Sequence, residues 1–190
     1  GDCDGAPTNG CETDVRSAAS HCGACGRACT YANATGVCGG GTCAMGACNA
    51  GFSDCDYNPA NGCETAGACV YTACNAVPRS APSGEYTLSA GGTNWRAYCE
   101  MAADGGGWTL VMKVPGRDAR FVYSAALWTD TTTLTPTSLD LSTTPAKFVG
   151  FSTVPFTQVR LGMSDGSPRH IVVNVSPTAL PSIRSVFAGA

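Results

Sequence analysis

Twelve of the 13 cysteines in this sequence fall between Cys3 and Cys74, and only Cys99 lies beyond. The same stretch holds little else to build a core from, since no Leu, Ile or Trp occurs before Leu88. Buried apolar surface stabilises by roughly 25 cal/mol per Å², and a few valines and aromatics cannot offset the chain entropy of so long a segment that way. Cross-links must substitute. Thiols at this density persist as disulfides in an oxidising compartment, so an exported protein is expected, secreted or at the cell surface. The opening Gly1-Asp2-Cys3 lacks the basic and apolar regions of a signal peptide, which places the expected true N-terminus elsewhere. No apolar run approaches the roughly eighteen residues of a membrane span, and none is expected in this stretch.

Charge divides along the same line. Residues 1–73 carry seven acids and two arginines, and residues 74–190 carry seven acids and nine bases. Neither half has the concentrated Lys/Arg patch that phosphate binding needs, so nucleic acid is not an expected partner.

The front half contains a repeat. Asp2-Cys3-Asp4-Gly5-Ala6-Pro7-Thr8-Asn9-Gly10-Cys11-Glu12-Thr13 returns as Asp54-Cys55-Asp56-Tyr57-Asn58-Pro59-Ala60-Asn61-Gly62-Cys63-Glu64-Thr65, nine of twelve positions identical at an offset of 52. A period of this length in a cysteine-rich segment points to tandem small modules. Asn9-Gly10 and Asn61-Gly62 are turn dipeptides, which predicts local bridges Cys3–Cys11 and Cys55–Cys63. Cys22, Cys25, Cys29, Cys38, Cys43 and Cys48 then allow fifteen pairings that spacing does not resolve. The odd count leaves one cysteine over, and Cys69 is the expected candidate.

Beyond Pro78 the texture changes to strand-like alternation, with Trp95, Ala97, Cys99 and Met101 on one face and Arg96, Tyr98 and Glu100 on the other. Strands are predicted over 85–90, 108–114, 120–125, 147–151, 156–163 and 169–175. A short helix is predicted over 181–188, ended by Gly189. The Thr/Ser-rich stretch 129–144 reads as an irregular excursion within this domain, and 75–83 as the nearest thing to a linker. The fold class expected is mainly β with irregular parts: a small disulfide-rich repeat module over 1–73, then a partial α+β domain with an antiparallel sheet over 74–190.

Three segments in order, Pro82-Ser83-Gly84-Glu85-Tyr86-Thr87-Leu88, Tyr98-Cys99-Glu100-Met101 and Asp104-Gly105-Gly106-Gly107-Trp108-Thr109-Leu110, resemble the opening of a fibrinogen-like C-terminal domain. In that family an acidic residue follows the Tyr-Cys pair and an earlier cysteine bonds to it. The resemblance gives these roles to Glu100 and Cys74, although Asp is the commoner acid there. A Cys74–Cys99 bridge would close a loop worth on the order of 3.5 kcal/mol in the chain-entropy model. Tyr98, Gly105, Gly106, Gly107 and Trp108 form the structural motif, the glycines allowing a tight reversal and Trp108 supplying a buried anchor. From Trp108 to Gly189 the chain is more similar to bacterial fibrinogen-like proteins, which resemble the intelectins. The resemblance implies calcium-dependent lectin-like binding of a glycan, with ligand and calcium held by a later part of the domain, past Ala190. The alternative partner is an extracellular protein, bound by a scaffold without a sugar pocket. The front module resembles a cysteine-rich repeat of large bacterial surface and secreted proteins.

Four other residue sets carry candidate chemistries. Asp2, Asp4 and Glu12, and again Asp54, Asp56 and Glu64, place hard oxygen ligands around a turn in each repeat, a candidate for calcium; the register does not fit an EF-hand. His21, Cys22, Cys25 and Cys29 have zinc-like spacing, against which export-style cysteine usage argues. Cys22-Gly23-Ala24-Cys25 has the spacing of a thiol–disulfide exchange site but no βαβ context. Gly162-Met163-Ser164-Asp165-Gly166 matches a nucleophile elbow in letters, yet it joins two predicted strands where the elbow needs a strand and a helix. His21 and His170 lack a partner constellation, so a non-enzymatic protein is expected.

Overall fold

A computed structural model describes residues 1–3, 5, 8, 13–116, 118–164 and 168–189, the side chains of Ser164 and Pro168 excepted. The chain is mainly β and divides into two units, Gly1–Cys69 and Val70–Ala190. The division falls between Cys69 and Val70 instead of after Ala73, because Val70–Tyr71 already pairs with a strand of the second unit.

In the first unit, β1 (Ala34–Gly39) and β2 (Thr42–Cys48) form an antiparallel hairpin, and β3 (Phe52–Ser53) pairs with β4 (Thr65–Ala66). Five cystines hold them: Cys3–Cys25, Cys22–Cys38, Cys29–Cys43, Cys48–Cys63 and Cys55–Cys69. Cys22 and Cys63 are fully buried, so sulfur is the core. Each bridge closes a short loop worth about 3 kcal/mol in the chain-entropy model.

This pairing corrects the local bridges expected from the turn dipeptides. Cys3 joins Cys25, not Cys11, which lies outside the described residues. Cys55 joins Cys69, which is therefore not the cysteine left over, and Cys63 reaches back to Cys48. The cause is at Gly62, whose φ is +85°: a Cβ there would lie 2.2 Å from the carbonyl oxygen of Ala32. Gly62 serves a close backbone approach, not a local hairpin. The Cys63 amide donates to Ala32 O at 2.8 Å and the Asn33 side-chain amide donates to Cys63 O at 3.0 Å. Ala34 pairs with Cys48 across the hairpin, so Cys63 arrives beside Cys48.

The second unit is built on a sheet of order β5-β6-β7-β8: Val70–Tyr71, Gly84–Ala90, Thr93–Glu100 and Trp108–Thr109. It is mixed, since β5 runs parallel to β6 and the rest are antiparallel. The alternation of β6 and β7 buries Tyr86, Leu88, Ala97 and Cys99 on one face. A disulfide joins Cys74 and Cys99, the pair the family resemblance implies. The stretch 75–83 is no linker, because Val77 and Ala81 are buried.

The predicted strand 108–114 is two short ones. The Leu110 amide donates to Tyr98 O at 3.0 Å, extending the β7–β8 ladder by one residue, after which β9 (Met112–Lys113) pairs with β10 (Ala146–Lys147). In place of a strand over 120–125 there is a 3₁₀ turn at Ala119–Phe121, because Asp118 accepts from the Arg120 amide and grips its guanidinium. After β10 comes a helical turn, α1 (Gly150–Thr153). A long hairpin, β11 (Gln158–Ser164) and β12 (Pro168–Asn174), is followed by α2 (Ile183–Ala188), capped by the Ser182 hydroxyl and by left-handed Gly189.

Two buried lysines tie down the 129–144 excursion. Lys147 is 1 % exposed, its ammonium 2.6 Å from Asp130 Oδ1, 2.9 Å from Asp130 O and over the Phe151 ring. Lys113 donates to Asp140 Oδ1 at 2.7 Å and Ser138 Oγ at 2.8 Å. A buried ammonium is tolerable when a carboxylate and further oxygens surround it, as they do here. The bond from Lys113, then those from Ser142, hold the Asp140 carboxyl well below the usual range.

Candidate functional site

The glycine turn is the local feature on which a cleft in the second unit is built. Asp104, Gly105, Gly106 and Gly107 all adopt positive φ, a conformation glycine reaches freely and Asp tolerates. A Cβ on Gly106 would stand 2.0 Å from Met101 O, and one on Gly107 2.9 Å from Asn75 Cα. The turn therefore lies flat on the backbone around the Cys74–Cys99 bridge. Glu100 secures its start: Oε1 accepts from Ser83 Oγ at 2.8 Å, the Ala102 amide at 2.9 Å and the Ala103 amide at 3.1 Å. Burial pushes the Glu100 carboxyl upward, but those donors and the charge of Arg160 outweigh it and hold it below its usual value. Trp108, expected as a buried anchor, is half-buried and donates Nε1–H to Ala103 O at 3.1 Å.

The turn is also gripped from a distance. Arg160 Nε donates to Asp104 Oδ2 at 2.7 Å, and His170 Nε2 lies 2.9 Å from the same oxygen. Both residues sit on one face of the β11–β12 hairpin. The bond from Arg160, followed by His170, holds the Asp104 carboxyl below its usual value. Arg79 Nη1 donates to Gly105 O.

Between turn and hairpin lies a half-open cleft of about 380 Å³, within the size range of small-ligand sites. Tyr98, Trp108 and Phe156 give it aromatic surface; Asn75, Arg79, Glu100 and Arg160 give it polar groups. Much of their hydrogen-bonding capacity is unused among the described residues. The Tyr98 hydroxyl, the Asn75 amide, Glu100 Oε2 and the Arg160 Nη groups have no partner there. Burial and the nearby Glu100 charge raise the Tyr98 hydroxyl, which stays a neutral donor. Such a lining can stack on an apolar ring face and exchange hydrogen bonds with hydroxyl groups.

Of the motif residues singled out by sequence, Tyr98, Glu100, Gly106, Gly107 and Trp108 line this cleft. Sequence reasoning missed Asn75, Arg79, Phe156 and Arg160. The only available signal was Arg79, a cation in an apparent linker close to the cysteine of the Tyr-Cys pair's partner.

In the first unit Asp54, Asp56 and Glu64 do converge, each offering an oxygen within 4.8 Å of the others. At least four of their six oxygens accept hydrogen bonds. Asp54 Oδ1 and Asp56 Oδ1 accept from the Asn58 amide, Asp56 Oδ2 from Asn61 Nδ2, and Glu64 Oε1 from the Cys55 amide. Burial, the bond shared with Asp56 and the Glu64 charge raise the Asp54 carboxyl, whereas Asn61 lowers Asp56. Three carboxylates offer at most six of the six to eight oxygens that calcium takes. In the first repeat, Asp2 Oδ1 accepts from the Gly5 amide, while Asp4 and Glu12 lie outside the described residues.

The zinc-like set is not assembled: Cys22, Cys25 and Cys29 belong to three different cystines, and His21 Nδ1 accepts from the Gly26 amide. The same bridges separate Cys22 from Cys25, so they form no exchange pair. Gly162, Met163 and Ser164 belong to strand β11, Asp165 and Gly166 lie outside the described residues, and the chain continues into β12. Among the described residues, no helix is long and apolar enough to cross a membrane. No family model, curated protein or solved structure matches the chain.

Proposed function

We propose that this chain is a non-enzymatic recognition protein of the secreted or cell-surface class, whose fibrinogen-like second unit binds glycans. The observation that supports this best is the cleft. Aromatic faces of Trp108 and Phe156 meet unused polar groups of Asn75, Tyr98 and Glu100 in a space the size of a sugar residue or two. Aromatic rings cover the C–H face of a pyranose, and planar polar side chains discriminate its hydroxyls because an unmatched buried polar group is costly. Six cystines among the described residues support the extracellular placement. The first unit, rigidified by sulfur, serves as a stalk. Calcium dependence enters the proposal through the family resemblance.

A glycan microarray probed with the chain, with and without a calcium chelator, tests this. Saturable binding of this chain to a subset of glycans is expected, weakened by Trp108→Ala; weakening by the chelator is expected of the complete domain, whose calcium the family resemblance places past Ala190. Absence of binding in both conditions would refute glycan recognition.

A second reading, a protein-binding adhesive scaffold, is favoured by one observation: Leu161, Met163 and Ile171 on the hairpin are each more than half exposed. Large apolar groups so presented mark surfaces that meet another protein.

A further inference from the structure

The cleft's charges are not equivalent. Asp104 is paired with the Arg160 guanidinium and lies within hydrogen-bond distance of His170. Arg79 has no carboxylate partner among the described residues, and its one hydrogen bond goes to the neutral carbonyl of Gly105. That bond orients the guanidinium and leaves its Nε and Nη2 donors without a partner among the described residues, beside the cleft. The adjacent turn residue, Asp104, orients Arg160 in the same manner through Nε and leaves both Nη groups without a partner among the described residues. Two guanidinium groups are thus pre-oriented by consecutive residues of one rigid turn, and both line one cleft. A guanidinium fork matches a carboxylate in geometry and charge, and pre-orientation removes part of the entropy cost of binding. Glu100, whose free Oε2 can only accept, suits a ligand hydroxyl.

Resting on the glycan-binding reading above, we propose that the cleft selects saccharides bearing a carboxylate, such as a uronic or sialic acid. Arg79 holds the anion, with Arg160 beside it, and Glu100, Tyr98 and Asn75 take the hydroxyls.

The test compares matched sugars on one surface: glucose with glucuronic acid, galactose with galacturonic acid, and lactose with sialyllactose. The full chain is measured beside Arg79→Gln and Arg79→Lys. Charge-assisted pairing predicts roughly a tenfold or greater preference for at least one acidic member, falling with added salt. Arg79→Gln should bind both members of that pair alike, and Arg79→Lys should keep part of the preference. Far-UV circular dichroism and an intact Cys74–Cys99 bridge check that the variants are folded; loss of fold in Arg79→Gln leaves the Lys variant and the salt series to decide. Neutral sugars bound as tightly as acidic ones, or a preference unchanged in the variants, would overturn this proposal and leave glycan binding standing. No binding to either class would overturn both.

Discussion

Gly105 and Gly106 both have positive φ, +82° and +69°, yet an added Cβ would meet opposite surroundings. At Gly105 nothing lies within 4 Å; at Gly106 the Met101 carbonyl oxygen is 2.0 Å away. Conformational strain alone costs an L-residue roughly 1–2 kcal/mol in this region, so Gly105→Ala should lose about that much. Gly106→Ala adds a backbone collision that no side-chain rotation relieves, and the loss should exceed ~3 kcal/mol. Urea unfolding of the two variants measures the difference. Equal losses would mean that the turn does not lie against Met101, and the cleft wall would have to be redrawn.

At the scale of the element, the β11–β12 hairpin has two different faces. Arg160 and His170 share the face that grips Asp104, while Leu161, Met163, Ile171 and Val173 share the other. Met163 is 70 % and Ile171 60 % exposed. Substituting Leu161 and Ile171 together by Thr retains strand preference and removes no recorded polar contact. The double variant should keep its unfolding free energy within about 1 kcal/mol of the parent while binding less of an apolar-surface dye. Destabilisation beyond ~2 kcal/mol would show that this face is covered in solution. The apolar run 108–113 is shared between two sheets: through Leu110 it pairs with β7, and Met112 and Lys113 then pair with β10.

For the whole molecule, the two units depend on different forces. Under reduction, amides of the first unit should exchange freely with deuterium, because five cystines and little hydrocarbon hold it. Those of β6 and β7 should stay protected over Leu88 and Ala97, which are completely buried. Peptide mapping of the oxidised chain should recover Cys48–Cys63 and Cys55–Cys69; a Cys55–Cys63 peptide would contradict the approach of Gly62 to Ala32. Composition and alternation by themselves determined that sulfur stabilises the front, that β-strands build the rear, and that 85–90 and the stretch around 95–101 are strands, because these depend on residue type and short-range periodicity. The family resemblance supplied the Cys74–Cys99 pair. Only the tertiary structure decided which other sulfurs meet and which groups line the cleft. Turn dipeptides report local reversal, whereas Cys63 is placed by Ala32 and Asn33, some thirty positions earlier in the chain. Arg79, Arg160 and His170 reach Asp104 and Gly105 from 26, 56 and 66 positions away, convergence that no local spacing encodes.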